Sequence, residues 1–189
     1  MGSDKALLRW AGETLIQRTL TVAREACDEV LICGARDLYG DFGNVVEDAQ
    51  PGLGPLCGIQ AALHATRTDL NLILSVDLPL MTAEFLTWLL RDARVGEQKI
   101  TAPEAQGRLQ PLCAVYRREV AAIVDNALAE GDLKVTRLFG RVTTRIIADG
   151  ELRAAGFESF IFTNVNTPED YKSLLESRAT QPAGGGTHG

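Results

Sequence analysis

The stretch SVDLPL holds an aspartate, Asp77, directly after an almost wholly apolar run, LNLILSV. Such a run reads as a strand buried on both faces of a sheet, so the carboxylate emerges at the strand's end. Two roles suit it there: an oxygen ligand for a hard cation that bridges phosphates, or a cap on the next helix. Pro79 stiffens the exit. Near the amino end, GSDKALL puts Lys5 beside a glycine-containing turn. A phosphate-binding ammonium sits this way in several nucleotide sites, and so do many surface lysines. Asp4 either caps the adjoining helical segment or orients Lys5. Between these segments lie Asp48 and the loop QPGLGPLCG. Gly52, Gly54 and Gly58 let backbone approach a ligand closely, while Pro51 and Pro55 stiffen the loop. The helix expected from Gly58 turns its first N–H groups toward an anion or a carbonyl; an ordinary turn is the alternative. Late in the chain, FTNVNTPED carries Asn164 and Asn166. Two apart on a strand, they face one side. There they serve a polar ligand or a metal-bound phosphate, or they satisfy backbone groups at the strand end. Lys134 and Arg137 form a small basic group that reads as a solvated helix face or a contact for an acidic substrate. His64 and His188 take no role, and no Ser–His–Asp arrangement or zinc set appears.

The elements that must position these residues alternate. MGSDKALLRW is already helix-like by its tenth residue, with no strand ahead of it. ETLIQRTLTVAREAC (13–27) carries an apolar helical stripe. EVLICG and NVVEDAQPG read as short strands, GIQAALHAT and AEFLTWLLRDA as helices. QKITAPE, QPLCAVYR, TTRIIAD and FESFIFTNVN read as strands, REVAAIVDNALAEG as a helix and KVTRLF as a short one. Thr167 caps a final helix, with Pro168 at its first position. Strands alternating with helices predict an α/β fold, a three-layer α/β/α sandwich on a mostly parallel sheet. Ligands on such sheets sit beyond the carboxyl ends of the strands, where Asp48, Asp77 and the asparagines fall.

The totals narrow the function. With 189 residues the chain suits one domain. A net charge of −6 with mixed signs argues against sequence-independent nucleic-acid binding, though not against a nucleotide. No apolar run reaches the roughly 20 residues of a membrane span, and no signal peptide is visible. Cys27, Cys33, Cys57 and Cys113 form no CxxC pair and read as reduced thiols of a cytoplasmic protein.

Taken in order, MGSDKALL, GLGPLCGIQAAL, SVDLPL and NVNTPED, with QPLCAVYRRE between, resemble the molybdenum cofactor guanylyltransferases of the nucleotidyltransferase group. The pattern there is L-x-G-G-x-S-x-R-M-G-x-D-K, then G-P-L-x-G, C-D-x-P and N-x-N-T-P-E-D. The resemblance covers residues 1 to about 175 and implies a Rossmann-like nucleotidyltransferase domain over 1–176, with 177–189 a disordered tail. It implies transfer of GMP from GTP to the terminal phosphate of molybdopterin or the molybdenum cofactor, with Mg²⁺ and release of pyrophosphate. Lys5 and Asp77 are then the catalytic pair, with Asp77 on the metal. Gly2, Asp48, Gly54, Pro55, Leu56 and Gly58 line the nucleotide, and Asn164 and Asn166 face acceptor or metal. Proteins that deliver or receive the cofactor are the expected macromolecular partners. Met1 and Gly2 match the R-M-G of the pattern. The first strand and the L-x-G-G-x-S-x-R segment that precede it in the family are not in residues 1–189. Met1 is therefore expected to be an internal codon, and residues 1–189 alone a weak GTP binder. Cys33 stands where the family often has a polar residue near the guanine. The alternatives are a related cytidylyltransferase, acting on molybdopterin or another phosphorylated acceptor, and a non-catalytic nucleotide-binding relic.

Overall fold

The computed structural model describes residues 4–48, 52–165 and 170. Gly2, Pro51, Asn166, the helix expected from Thr167 apart from Asp170, and the tail lie outside them. The described chain opens on one 3-10 turn, Lys5–Leu7, in place of the helix-like segment expected there. A hairpin comes next, β1 (Arg9–Trp10) with β2 (Glu13–Thr14). Ala11 at φ 48° and Gly12 at φ 96° make its turn, and two left-handed residues match the twist of paired strands. This hairpin takes Glu13 and Thr14 out of the expected helix. Helix α1 (Leu15–Ala26) starts where the Thr14 hydroxyl accepts from the Gln17 N–H and the Gln17 side chain accepts from the Thr14 N–H, a reciprocal cap.

Strands β3 (Leu31–Cys33) and β4 (Asn44–Val46) pair in parallel, joined through α2 (Arg36–Tyr39). Next come α3 (Pro55–Ala65), β5 (Leu70–Leu74) and α4 (Ala83–Val95). Then come β6 (Ile100–Ala105), β7 (Arg108–Leu109) and β8 (Cys113–Arg117), the last two both antiparallel to β6. Helix α5 (Ala121–Ala129), strand β9 (Thr144–Ile147) and helix α6 (Asp149–Ala154) complete the set. The α/β sandwich is as expected, but the larger sheet is mixed where a mostly parallel one was anticipated. Its order is β5-β8-β6-β7, with β9 parallel to β6 and β8 antiparallel to both β5 and β6. For the β6–β8 pair the reason is local. Gln106 and Gly107, at φ 52° and 69°, form a tight turn that sends the chain straight back on itself.

Strand β8 shows how two faces are covered. Cys113 and Val115 join α1 and α4 through Val22, Phe85 and Leu89. Ala114 and Tyr116 join α3 and α5 through Leu56, Ile59, Leu63 and Val124. Side chains alternate across a strand, so one sequence feeds both layers. Strand β5, read as the most buried, is only half-buried at each of its five residues, whereas β6 and β8 are nearly closed. Among the described residues β5 bonds a neighbour strand on one edge only, and β3 and β4 form a separate sheet.

The expected strand FESFIFTNVN is instead a 3-10 turn, Ser159–Phe162, leading into extended chain. Phe157 and Phe162 both meet Phe85 edge-on, with ring centroids at 5.1 and 5.3 Å. A turn lets two aromatics five apart reach one ring; a strand would put them on opposite faces. No helix among the described residues is long and apolar enough to cross a membrane, and the four cysteines are free.

Candidate active site at the strand ends

Asp77 lies three residues past β5. It does not cap the next helix: Thr82 does, accepting from the Phe85 N–H at 3.3 Å. The Asp77 carboxylate is partly exposed and makes no side-chain hydrogen bond or ion pair among the described residues, while its carbonyl accepts from the Val165 N–H at 2.9 Å. The corner behind it is pinned. Leu78, Leu80 and Met81 are buried, and the Pro79 carbonyl accepts from Arg18 Nε at 2.7 Å. The Val165 bond carries the exposed Asn164 alongside Asp77.

The segment that carries Lys5 packs beside the Asp77 corner. Ala6 packs with Ile16, Leu20, Ile32 and Val45 in a cluster that also holds Val76, the residue before Asp77. Leu8 packs with Leu15, Leu80 and Val165. The two clusters pack the segments that carry Lys5, Asp77 and Asn164 against one another.

A second group lies beside α3. Asp48 comes shortly after β4, and its Oδ1 has no solvent surface and no hydrogen-bond partner among the described residues. Burial pushes its carboxyl pKa up from the ordinary value. Burial, and then the Asp48 charge, push the neighbouring Cys33 thiol up to about 11, so it stays protonated at neutral pH. A Cβ built on Gly58 would stand 3.6 Å from the Cys33 Cβ and 3.8 Å from Asp48 Oδ1. Three segments therefore meet here. Helix α3 starts from Gly54 at φ 97°, with no side-chain cap; Pro55 has no N–H and the Cys57 N–H donates to the Gly54 carbonyl at 3.3 Å, which leaves the Leu56 N–H of the first turn for a ligand. Leu56 departs from expectation: its side chain is 0% exposed in the core, so only its backbone can face a nucleotide.

Lys134 and Arg137 stand apart. Arg137 pairs with Asp132 at 2.9 Å, and Arg141 bridges Asp132 and Glu130, an ion network on its own loop. His64 pairs with Asp125, which also accepts from Gln60 at 2.6 Å, tying α3 to α5. Sequence reasoning passed over Tyr39, whose hydroxyl donates to Asp4 Oδ2 at 2.5 Å. The two are 35 positions apart, and no local pattern signals the pairing.

Among the described residues, no group of three or more His, Cys, Asp or Glu could hold a metal ion. Mg²⁺ in nucleotide sites needs only one or two carboxylates plus substrate phosphates, and the unpartnered Asp77 carboxylate fits that part.

Residues 1–145 match the family model described as MobA-like NTP transferase domain. The chain belongs to that family. A MobA-like relative, the probable molybdenum cofactor guanylyltransferase of Carboxydothermus hydrogenoformans, is 32% identical over 178 residues, 93% of this chain and 89% of that protein. The fold matches molybdopterin-guanine dinucleotide biosynthesis protein A from Archaeoglobus fulgidus at a TM-score of 0.78, with 22% identity over 95% of this chain and 93% of that one. It also matches Rv0371c from Mycobacterium tuberculosis, solved as a complex with manganese, at a TM-score of 0.62 and 20% identity over 93% of each chain.

Proposed function

We propose that this MobA-like protein is a molybdenum cofactor guanylyltransferase, which moves GMP from GTP onto the terminal phosphate of molybdopterin or its molybdenum-loaded form. An acceptor phosphate oxygen forms a bond to the α-phosphorus of GTP, the bond from that phosphorus to the β-phosphate oxygen breaks, and pyrophosphate leaves. No covalent enzyme intermediate is required. Such a transfer depends on alignment and charge neutralisation more than on proton transfer. The packing of the segments that carry Lys5, Asp77 and Asn164 against one another is the observation that supports this reading.

Lys5 offsets the negative charge that grows on the departing β- and γ-phosphates. Asp77 would hold Mg²⁺, which when bound neutralises phosphate charge. Asn164 supplies an amide to the acceptor or phosphate oxygens, and Asn166 is proposed to act with it. Gly2 and the Gly54–Gly58 segment bring backbone N–H groups to the nucleotide. Asp48 faces the base through its second carboxylate oxygen, since Oδ1 is closed off from solvent, and that oxygen is an acceptor suited to the N–H groups of guanine. The proposed setting is the cytoplasm, which four free thiols support.

The test is guanylyl transfer to molybdopterin in the full-length protein, with GTP and CTP in competition. Asp77→Asn should fold normally and lose about 10²–10³ in rate, as removal of one electrostatic partner does. Near wild-type turnover in that variant would refute the role of Asp77. Preferential use of CTP would make the protein a cytidylyltransferase.

A further inference from the structure

We infer that Tyr39 is a positioning residue for Lys5, acting through Asp4. This rests on the guanylyltransferase reading and assigns to it a residue outside the strand-end motifs. Lys5 sits on a 3-10 turn of three residues. So short a turn has little stability of its own and depends on what holds its ends. Its first end is held by Asp4. One carboxylate oxygen, Oδ1, accepts from the Ala6 N–H at 3.0 Å, spanning Lys5, and the other, Oδ2, accepts from the Tyr39 hydroxyl at 2.5 Å. Beyond Lys5, the Leu7 N–H donates to the Asp4 carbonyl and the Leu8 N–H to the Lys5 carbonyl. The Tyr39 bond is thus the tie that fixes this turn's cap to another element.

That element reaches the proposed base side. Tyr39 ends α2, and its N–H donates to the Ala35 carbonyl at 3.1 Å. Its ring fills the space over Gly34, where a Cβ would stand 2.6 Å from the Tyr39 Cε2. Gly34 comes directly after Cys33 and is bonded to the Val46 carbonyl through its N–H. Cys33 borders Gly58 and Asp48. A continuous set of contacts therefore runs from the Asp48 group through Cys33, Gly34 and Tyr39 to Asp4 and the lysine turn. Burial, with the Asp4 carboxylate next in weight, pushes the Tyr39 phenol up to about 12, so it stays protonated and able to donate across the neutral range.

The experiment compares binding of GTP and GMP by titration calorimetry to full-length wild type, Tyr39→Phe and Asp4→Asn. Tyr39→Phe keeps the ring over Gly34 and removes only the donor. GTP carries the β- and γ-phosphates that Lys5 meets, and GMP does not. Tyr39→Phe should weaken GTP about tenfold, the loss of one hydrogen bond to a charged group, and leave GMP within about twofold. Asp4→Asn, which removes the charge from the acceptor and turns one of its oxygens into a donor, should show the same selectivity. Equal loss for GTP and GMP, or no loss for GTP, overturns the inference while the guanylyltransferase reading stands. A wild type that binds neither GTP nor GMP overturns both.

Discussion

The Oδ1 atom of Asp48 is closed off from solvent and lacks a donor among the described residues. An unmet buried acceptor costs a fold about 1–3 kcal/mol, and the cost is greater when the group is ionised. Desolvation raises the folded-state pKa above that of the unfolded chain. The penalty is therefore full above the folded pKa, shrinks as pH falls through it, and vanishes below the unfolded value. Asp48→Asn should raise the thermal unfolding midpoint at neutral pH and leave it unchanged near about pH 3, while weakening GTP binding. A variant that melts lower than wild type at neutral pH would contradict this account. At this scale the sequence was informative about Asp48 and Asp77, because a charged residue directly after an apolar strand is conspicuous. It was silent on Tyr39, whose partner is distant along the chain, and it overstated Leu56, whose side chain points to the core beside the exposed Gly54 and Pro55.

Among the elements, the segment after α6 decides the most for the site. Phe162 is 7% exposed and stacks edge-on against Phe85, as Phe157 does. Three residues later Val165 bonds Asp77. The aromatic wedge thus anchors the chain that carries Asn164. Phe162→Ala should cost about 3–5 kcal/mol of stability by urea unfolding, as large-to-small changes of a buried ring do. It should also lower transfer activity at temperatures where the variant remains folded. A loss under about 1 kcal/mol would show that the ring is not a main support. FESFIFT reads as a strand because it is rich in aromatic and β-branched residues, which is the usual composition of one. The outcome depended on a ring supplied by α4, far away in sequence, which no local window contains. The opening hairpin escaped notice for the converse reason: Ala11 is an unusual residue at positive φ, so the turn had no strong local signature.

For the whole molecule, the site is a place where separate segments end, with no prebuilt metal cage among the described residues. Metal and nucleotide should then bind cooperatively. Mn²⁺ followed by paramagnetic resonance should bind the nucleotide-free protein weakly and at least about tenfold tighter with GTP present, within the usual range of coupling between ligands. Tight stoichiometric Mn²⁺ without nucleotide would count against Asp77 as a lone protein carboxylate on the metal. The sequence by itself determined the α/β alternation and which charged and glycine-rich segments come after strands, because periodicity and turn chemistry are local properties. Tertiary structure alone decided that β8 lies antiparallel against β5, that β5 is only half covered, and that Asp4 is held by Tyr39. Each of these depends on which distant segment lies alongside, and that is set by how the packed layers fill space, not by the spacing of residues within any one element.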